Sequence, residues 1–226
     1  MTNAARQIAE RTIRAAGDRA LLVTPGRRDA TALLAATLRD HPVAGVQDVL
    51  PAAETVLLTL NSPRDGETVR RALTTLLVSM QDEITNTVSR GTPEDGTTAD
   101  PVVIPVRYDG ADLDDVARLL GLGTEEVIAA HTGTVWQCAF VGFAPGFGYL
   151  ESPDGRLTVP RRAESRTAIP AGAVALAGGY SAVYPRSTPG GWQLVGTTDL
   201  RMWDVERDPP ALIRAGGAVR FVEADR

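Results

Sequence analysis

Cysteine is almost missing from this sequence. Cys138 stands alone among 226 residues, so no disulfide can form within the chain, which is neutral to mildly cytosolic information. Only two histidines, His41 and His131, accompany it, too few soft ligands for a structural zinc ion, and no metal site is expected. Long apolar runs are missing as well; nothing approaches the roughly 20 residues that cross a bilayer. Residues 1–19 are charged throughout and have no apolar centre, so no secretory signal is expected. Basic excess is also absent: 23 Lys and Arg stand against 28 Asp and Glu, a net charge of −5, which argues against a nucleic-acid footprint. The expectation is a soluble cytoplasmic protein that binds neither membrane nor nucleic acid.

What is present is an ordinary globular composition, 43% hydrophobic and 23% charged, in a length that suits one large or two small domains. The first half alternates short strands and amphipathic helices. Ala20–Thr24 reads as a strand, 28–39 as a helix, and Val46–Leu50 with Thr55–Leu60 as a strand pair. Val69, Leu73, Leu76, Leu77 and Met80 form a single helical stripe. Residues 91–101, GTPEDGTTADP, hold no apolar side chain beyond Ala and Pro and read as a linker. Val102–Val106 follows as a strand whose Pro105 points to an edge or a bulge. Should that strand return to the first sheet, the order β-α-β-β-α-β is ferredoxin-like. Residues 112–131 predict two short helices, the first capped by Asp112, striped by Leu113, Val116, Leu119 and Leu120, and stopped by Gly121; Thr124 caps the second. From Val135 onward, β-rich runs (Val135–Phe143, Ala173–Ala177, Trp192–Thr197, Ala218–Val222) alternate with Gly/Pro loops, the texture of a closed or sandwiched β structure. The two short helices resemble a DNA-binding helix-turn-helix only superficially. The first turn of the second is Thr124-Glu125-Glu126, which repels phosphate.

Three segments can carry chemistry. In 140–150, Phe140, Phe143, Phe147 and Tyr149 interleave with Gly142, Pro145, Gly146 and Gly148, placing four of the chain's eight Phe and Tyr residues in ten positions. Such a loop either walls a pocket or packs over the β structure. In 159–172, Arg161, Arg162 and Arg166 sit between Pro160 and Pro170; rigidly flanked guanidinium forks suit a carboxylate or phosphate, and the bland alternative is a solvated loop paired with Glu164 and other acids. In 177–196, the pairs Gly178-Gly179 and Gly190-Gly191 flank Tyr184-Pro185-Arg186, with Pro189 and Trp192 beside the second pair. Paired glycines make either an anion-binding amide nest or a hairpin turn. His131 can act as a general acid or base, or merely sit at a helix C-terminus as a dipole partner. Ser181, Ser187 and Cys138 have no local activating context.

These segments, G-F-A-P-G-F-G-Y-L, V-P-R-R-A-E-S-R-T-A-I-P-A-G, A-G-G-Y-S-A-V-Y-P-R-S-T-P-G-G-W-Q-L-V-G-T-T and E-R-D-P-P-A-L-I-R-A-G-G-A-V-R-F, resemble the family of B-type subunits of 5-oxoprolinase, also known as allophanate hydrolase subunit 1. That family includes an inhibitor of a sporulation histidine kinase and half of the carboxyltransferase region of urea carboxylase. The similarity runs over most of 102–223, while the first hundred residues match in general layout. It implies an α+β chain: a ferredoxin-like α/β domain over 1–98, then a cyclophilin-like β-barrel over 99–226 of the carboxyltransferase type. It also implies a composite site with a homologue of the 5-oxoprolinase C-type subunit (allophanate hydrolase subunit 2). An A-type subunit completes the complex, in which ATP drives opening of 5-oxoproline to glutamate. Two alternatives are a biotin-dependent carboxyltransferase half and a histidine kinase inhibitor. By position, His131, Arg161 and Arg166 would be catalytic. Phe143, Pro145, Gly146, Phe147, Tyr149, Arg162, Gly178, Gly179, Tyr184, Pro189, Gly190, Gly191 and Trp192 would bind a small amide or carboxylate substrate. Gly148 stands where relatives often carry proline, which is expected to loosen the aromatic loop. No segment discussed contains lysine or the serine-rich signature of a true allophanate hydrolase.

Overall fold

The computed structural model describes residues 11–87 and 100–224, which fall into two compact units with separate hydrophobic cores. Residues 1–10 and most of the expected linker lie outside the described residues.

The first unit is a four-stranded antiparallel sheet with two helices: β1 (Ile13–Ala15), β2 (Ala20–Val23), α1 (Arg28–Asp40), β3 (Val46–Pro51), β4 (Val56–Leu60) and α2 (Gly66–Thr87), in the strand order β1-β2-β4-β3. Alternation makes β4 a half-buried strand: Val56, Leu58 and Leu60 face the core and Leu57 and Thr59 do not. The α2 stripe closes over it, with Val69, Leu73, Leu77 and Met80 buried and Leu76 packed at their margin. Val102–Val106 does not return to this sheet. The edge place that a ferredoxin-like arrangement gives to its last strand, beside β2, is filled here by β1, a strand preceding the others in the chain. Three residues in a charged segment carry too little periodicity to announce a strand.

The second unit begins with β5 (Val102–Val106), α3 (Leu113–Leu120) and α4 (Thr124–Thr132). Then come β6 (Val135–Val141), β7 (Gly148–Glu151), β8 (Arg166–Ile169), β9 (Ala173–Ala177), β10 (Tyr180–Val183), β11 (Thr188–Gly190), β12 (Gln193–Thr197) and β13 (Ala218–Glu223). Seven of these strands form one curled sheet in the order β12-β9-β10-β7-β6-β13-β5, and β8 with β11 makes a separate ribbon. All pairs are antiparallel except β13 with β5. As Pro105 indicates, β5 is an edge. The ring nearly closes because Arg107 and Thr197 exchange backbone hydrogen bonds of 2.8 Å in both directions. Every residue of β9 and β10 is buried, the mark of strands covered on both faces.

Helix ends correct three local expectations. Asp112 precedes α3 but its carboxylate makes no cap, and it is committed elsewhere. Gly123, not Thr124, stands at the N-cap of α4, where the Glu126 carboxylate accepts its N–H at 2.8 Å. On α3 the buried stripe is Leu113, Val116 and Ala117, with Leu120 at its margin; Leu119 points to solvent at 53% exposure, because 3.6-residue periodicity carries it off that face. Gly121 does end α3, with a left-handed φ of 68°.

Candidate active site

The β6–β7 hairpin carries the aromatic loop. Gly142 donates to the Phe147 carbonyl at 3.1 Å, and Phe147 donates to the Ala144 carbonyl at 2.9 Å, folding 142–147 into a compact knuckle. Gly146 has φ 83°, and a Cβ there would stand 2.9 Å from the Met202 carbonyl oxygen and from Trp203 Cβ, so only glycine fits both the angle and the space. Phe143 also has a positive φ, 66°, and it is 60% exposed. An exposed aromatic held in left-handed backbone is strain that the surrounding structure must maintain, and such strain concentrates at functional sites. The expected loosening at Gly148 does not occur. Gly148 is buried at the start of β7, paired with Val141 and pressed against Ile213 and Cys138.

Phe147 is the hub of a set of rings contributed by two of the segments, 140–150 and 177–196. Its centroid lies 5.2 Å from Phe143, 5.0 Å from Tyr149, 5.3 Å from Tyr184 and 5.6 Å from Trp192, all edge to face. The edge-on contacts build an aromatic face whose exposed outer ring is Phe143, with Phe147, Tyr184 and Trp192 buried behind it. Burial raises the phenols of Tyr149 and Tyr184, and the charge of Arg161 pulls both partly back. Arg161 is exposed and has no carboxylate partner among the described residues.

Arg162 and Arg166 are differently placed. Both are half-buried and both grip Asp112, itself 2% exposed. Arg162 Nη1 donates to Asp112 Oδ1 at 2.5 Å, and Arg166 donates through Nη1 and Nη2 to Oδ2 and Oδ1 at 2.8 Å each, a bidentate fork. The Leu194 N–H adds a fourth bond to Oδ2 at 2.7 Å. Burial pushes the Asp112 carboxyl up, but the Arg166 and Leu194 hydrogen bonds and both guanidinium charges outweigh it and hold the group below the usual carboxylate range. Local sequence marks Asp112 only as a helix cap. The signal that points further is arithmetic: three arginines in six positions with Glu164 alone nearby require a carboxylate from elsewhere, and the acid-rich run 109–115 supplies it 50 positions earlier.

The two glycine pairs have different structural roles. Gly178 and Gly179, with φ 59° and 84°, form the tight turn between β9 and β10, and the Gly178 N–H donates to the Val159 carbonyl at 2.7 Å. That pair is therefore a hairpin at the root of the arginine segment rather than an open nest. Gly190 lets β11 lie against the Tyr184 hydroxyl and Ile169, and the Gly191 carbonyl accepts from the Arg162 N–H at 2.8 Å. Pro145 and Pro189 are exposed beside these contacts, and Trp192 is buried under the aromatic face.

His131 is not brought to this face. It is fully buried in the barrel, stacked on Phe221 at 4.2 Å and beside Tyr108 and Trp136. Its Nδ1 lies 2.7 Å from the Tyr108 hydroxyl and its Nε2 2.8 Å from Ser181 Oγ, so one ring nitrogen donates and the other accepts. Burial pushes its pKa down to about 3, which keeps it neutral. A neutral, enclosed ring with both nitrogens engaged organises the core, whereas the expected acid/base role needs access to a reacting atom. No group of three or more His, Cys, Asp or Glu suited to a metal gathers among the described residues, and no described helix is long and apolar enough to cross a membrane.

Residues 11–213 match the family described as "Carboxyltransferase domain, subdomain C and D". The chain is 48% identical to the B-type subunit of 5-oxoprolinase from Escherichia coli O157:H7 over 124 residues, 54% of this chain and 57% of that protein. It is 34% identical to the corresponding 5-oxoprolinase subunit of Bacillus subtilis (strain 168) over 191 residues, 83% of this chain and 80% of that one. The matched stretch thus spans little more than half the length of the first relative. Among solved structures, TTHA0988 superposes with a TM-score of 0.70 at 34% identity, covering 92% of this chain and 40% of that one. The Kluyveromyces lactis urea carboxylase shares the fold alone, at 17% identity and a TM-score of 0.70 over 94% of this chain and 22% of that one.

Proposed function

We propose, from the premise that the chain belongs to the carboxyltransferase domain family of subdomains C and D, that it is the B-type subunit of a 5-oxoprolinase, a cytoplasmic hydrolase that opens the lactam of 5-oxoproline to glutamate with ATP. Its partners in this reading are a C-type homologue, with which it forms a composite site, and an A-type homologue. The observation that carries the assignment is the exposed Arg161 guanidinium, without a carboxylate partner among the described residues, together with the strained, exposed Phe143. 5-Oxoproline is a flat ring bearing one carboxylate. Arg161 offers the carboxylate a planar fork, and the exposed Phe143 offers the ring an aromatic surface, backed by the buried Phe147 and Tyr184. The two sequence expectations for Arg162 and Arg166 become supporting roles here, since both are already bound to Asp112. ATP belongs to the assembled complex.

The test is to assemble the chain with its C-type and A-type homologues and follow ATP-dependent glutamate formation from 5-oxoproline. Arg161→Ala should lower kcat/KM by about ten- to a hundredfold, the worth of one charge-assisted contact, without moving the unfolding midpoint. Full turnover in that variant sinks the carboxylate-pocket reading. An assembled wild-type complex that produces no glutamate, yet transfers a carboxyl group from biotin to a small amide, replaces the hydrolase with the carboxyltransferase.

A further inference from the structure

We infer that Asp112 is a positioning residue that occupies Arg162 and Arg166 so that Arg161 alone is left to take the substrate's carboxylate, an inference that rests on the 5-oxoprolinase reading. The geometry separates three neighbouring arginines into two kinds. Arg162 and Arg166 are turned inward onto one buried carboxylate through bonds of 2.5, 2.8 and 2.8 Å, while Arg161 is exposed and has no such partner among the described residues. A carboxylate with four donors on its two oxygens has no further capacity for a cap or for a ligand, so its function is the clamp itself.

The clamp is anchored from behind. Residues 107–112 run along β12, with the Arg107 and Thr197 backbones bonded at 2.8 Å and the Asp112 N–H donating to the Leu194 carbonyl at 2.9 Å. The carboxylate is therefore held in the same register that closes the barrel, and it passes that register to the arginine segment. Arg162 is fixed a second time by its own N–H on the Gly191 carbonyl, 2.8 Å away. Two polar atoms near this junction, Arg162 Nε and Thr188 Oγ1, are buried without a partner. A structure that leaves donors orphaned is selecting for the placement of the guanidinium over the number of its bonds. Were Asp112 absent, two unneutralised guanidinium forks would compete with Arg161 for any substrate carboxylate and hold it away from the aromatic face.

The experiment uses the assembled complex for turnover and the full chain for stability. Asp112→Asn keeps the shape and removes the charge. It should raise the KM for 5-oxoproline by about tenfold with kcat within about threefold, and in an Arg161→Ala background it should add less than about twofold, because both changes act on one contact. Asp112→Ala leaves a cavity facing two arginines, and millimolar formate is the probe. Formate should raise the thermal midpoint of Asp112→Ala and not that of the wild type, and should bring its KM back toward the wild-type value. A KM for Asp112→Asn within about twofold of the wild type, or an effect fully additive with Arg161→Ala, overturns the inference, as does a formate shift equal in variant and wild type. A wild-type complex without turnover refutes the 5-oxoprolinase reading instead, and the formate-dependent shift then decides the clamp by itself.

Discussion

At the scale of single residues, charge and burial together decide what each candidate can do. His131 illustrates it. Its ordinary pKa is 6.5, and inside the barrel it falls to about 3 because burial penalises the charged ring. The unfolded chain takes up a proton from about pH 6.5 downward and the folded chain does not. The neutral ring therefore contributes stability in full above that pH and loses it as the pH falls toward 3, by roughly 5 kcal/mol over the whole window. Urea unfolding followed by Trp emission should show the wild type losing about 2–3 kcal/mol between about pH 7 and pH 4.5. His131→Gln, less stable at neutral pH, should show a visibly flatter profile. A profile of equal slope in both proteins refutes the buried-neutral account. Arg161 stands at the other extreme: exposure keeps it available, and the nearby phenols feel its charge.

At the scale of elements, the aromatic loop is held by backbone geometry rather than by a dense bond network. Gly146 combines φ 83° with contacts that exclude a Cβ, while Gly121, with φ 68° at the end of α3, has nothing within 4 Å of where a Cβ would stand. Gly121→Ala should cost only the left-handed strain, about 1–2 kcal/mol. Gly146→Ala should cost more, about 3 kcal/mol, since Met202 and Trp203 must move as well. Comparing urea midpoints of the two variants checks this, and equal losses would mean the loop relaxes freely around residue 146. The same elements show how legible the site was. The helical stripe of α2, the β texture after Val135 and the aromatic and arginine segments follow from periodicity and composition. The short strands β1, β8, β10 and β11, of three or four residues each, have too few positions to show a period, and they emerge only when their partners are present.

For the whole molecule, the two cores share no residue, and all three tryptophans, Trp136, Trp192 and Trp203, belong to the second unit. Trp emission therefore reports the barrel, while far-ultraviolet circular dichroism reports both units and draws much of its helical signal from α1 and α2. Denaturation curves from the two probes should not coincide, and acid should shift the emission curve more strongly because His131 lies in the barrel core. Superimposable curves at every pH would instead show that the units unfold as one. The second unit also leaves Val141, Phe143, Leu200, Trp203 and Val205 exposed.

The sequence by itself determined the α+β class, the division of labour between a helical first half and a β-rich second half, and the residues of the aromatic and arginine segments, because these depend on local periodicity and composition. Only the tertiary structure decided which arginines are committed to Asp112, that His131 is sealed inside the barrel, and that Gly178-Gly179 is a turn rather than a nest. Each of those depends on a partner far away in the chain. Asp112 reaches Arg162 across 50 positions and Ser181 reaches His131 across 50. Pairings of that kind are set when the barrel closes and two distant segments desolvate against each other, an event that no window of local sequence records.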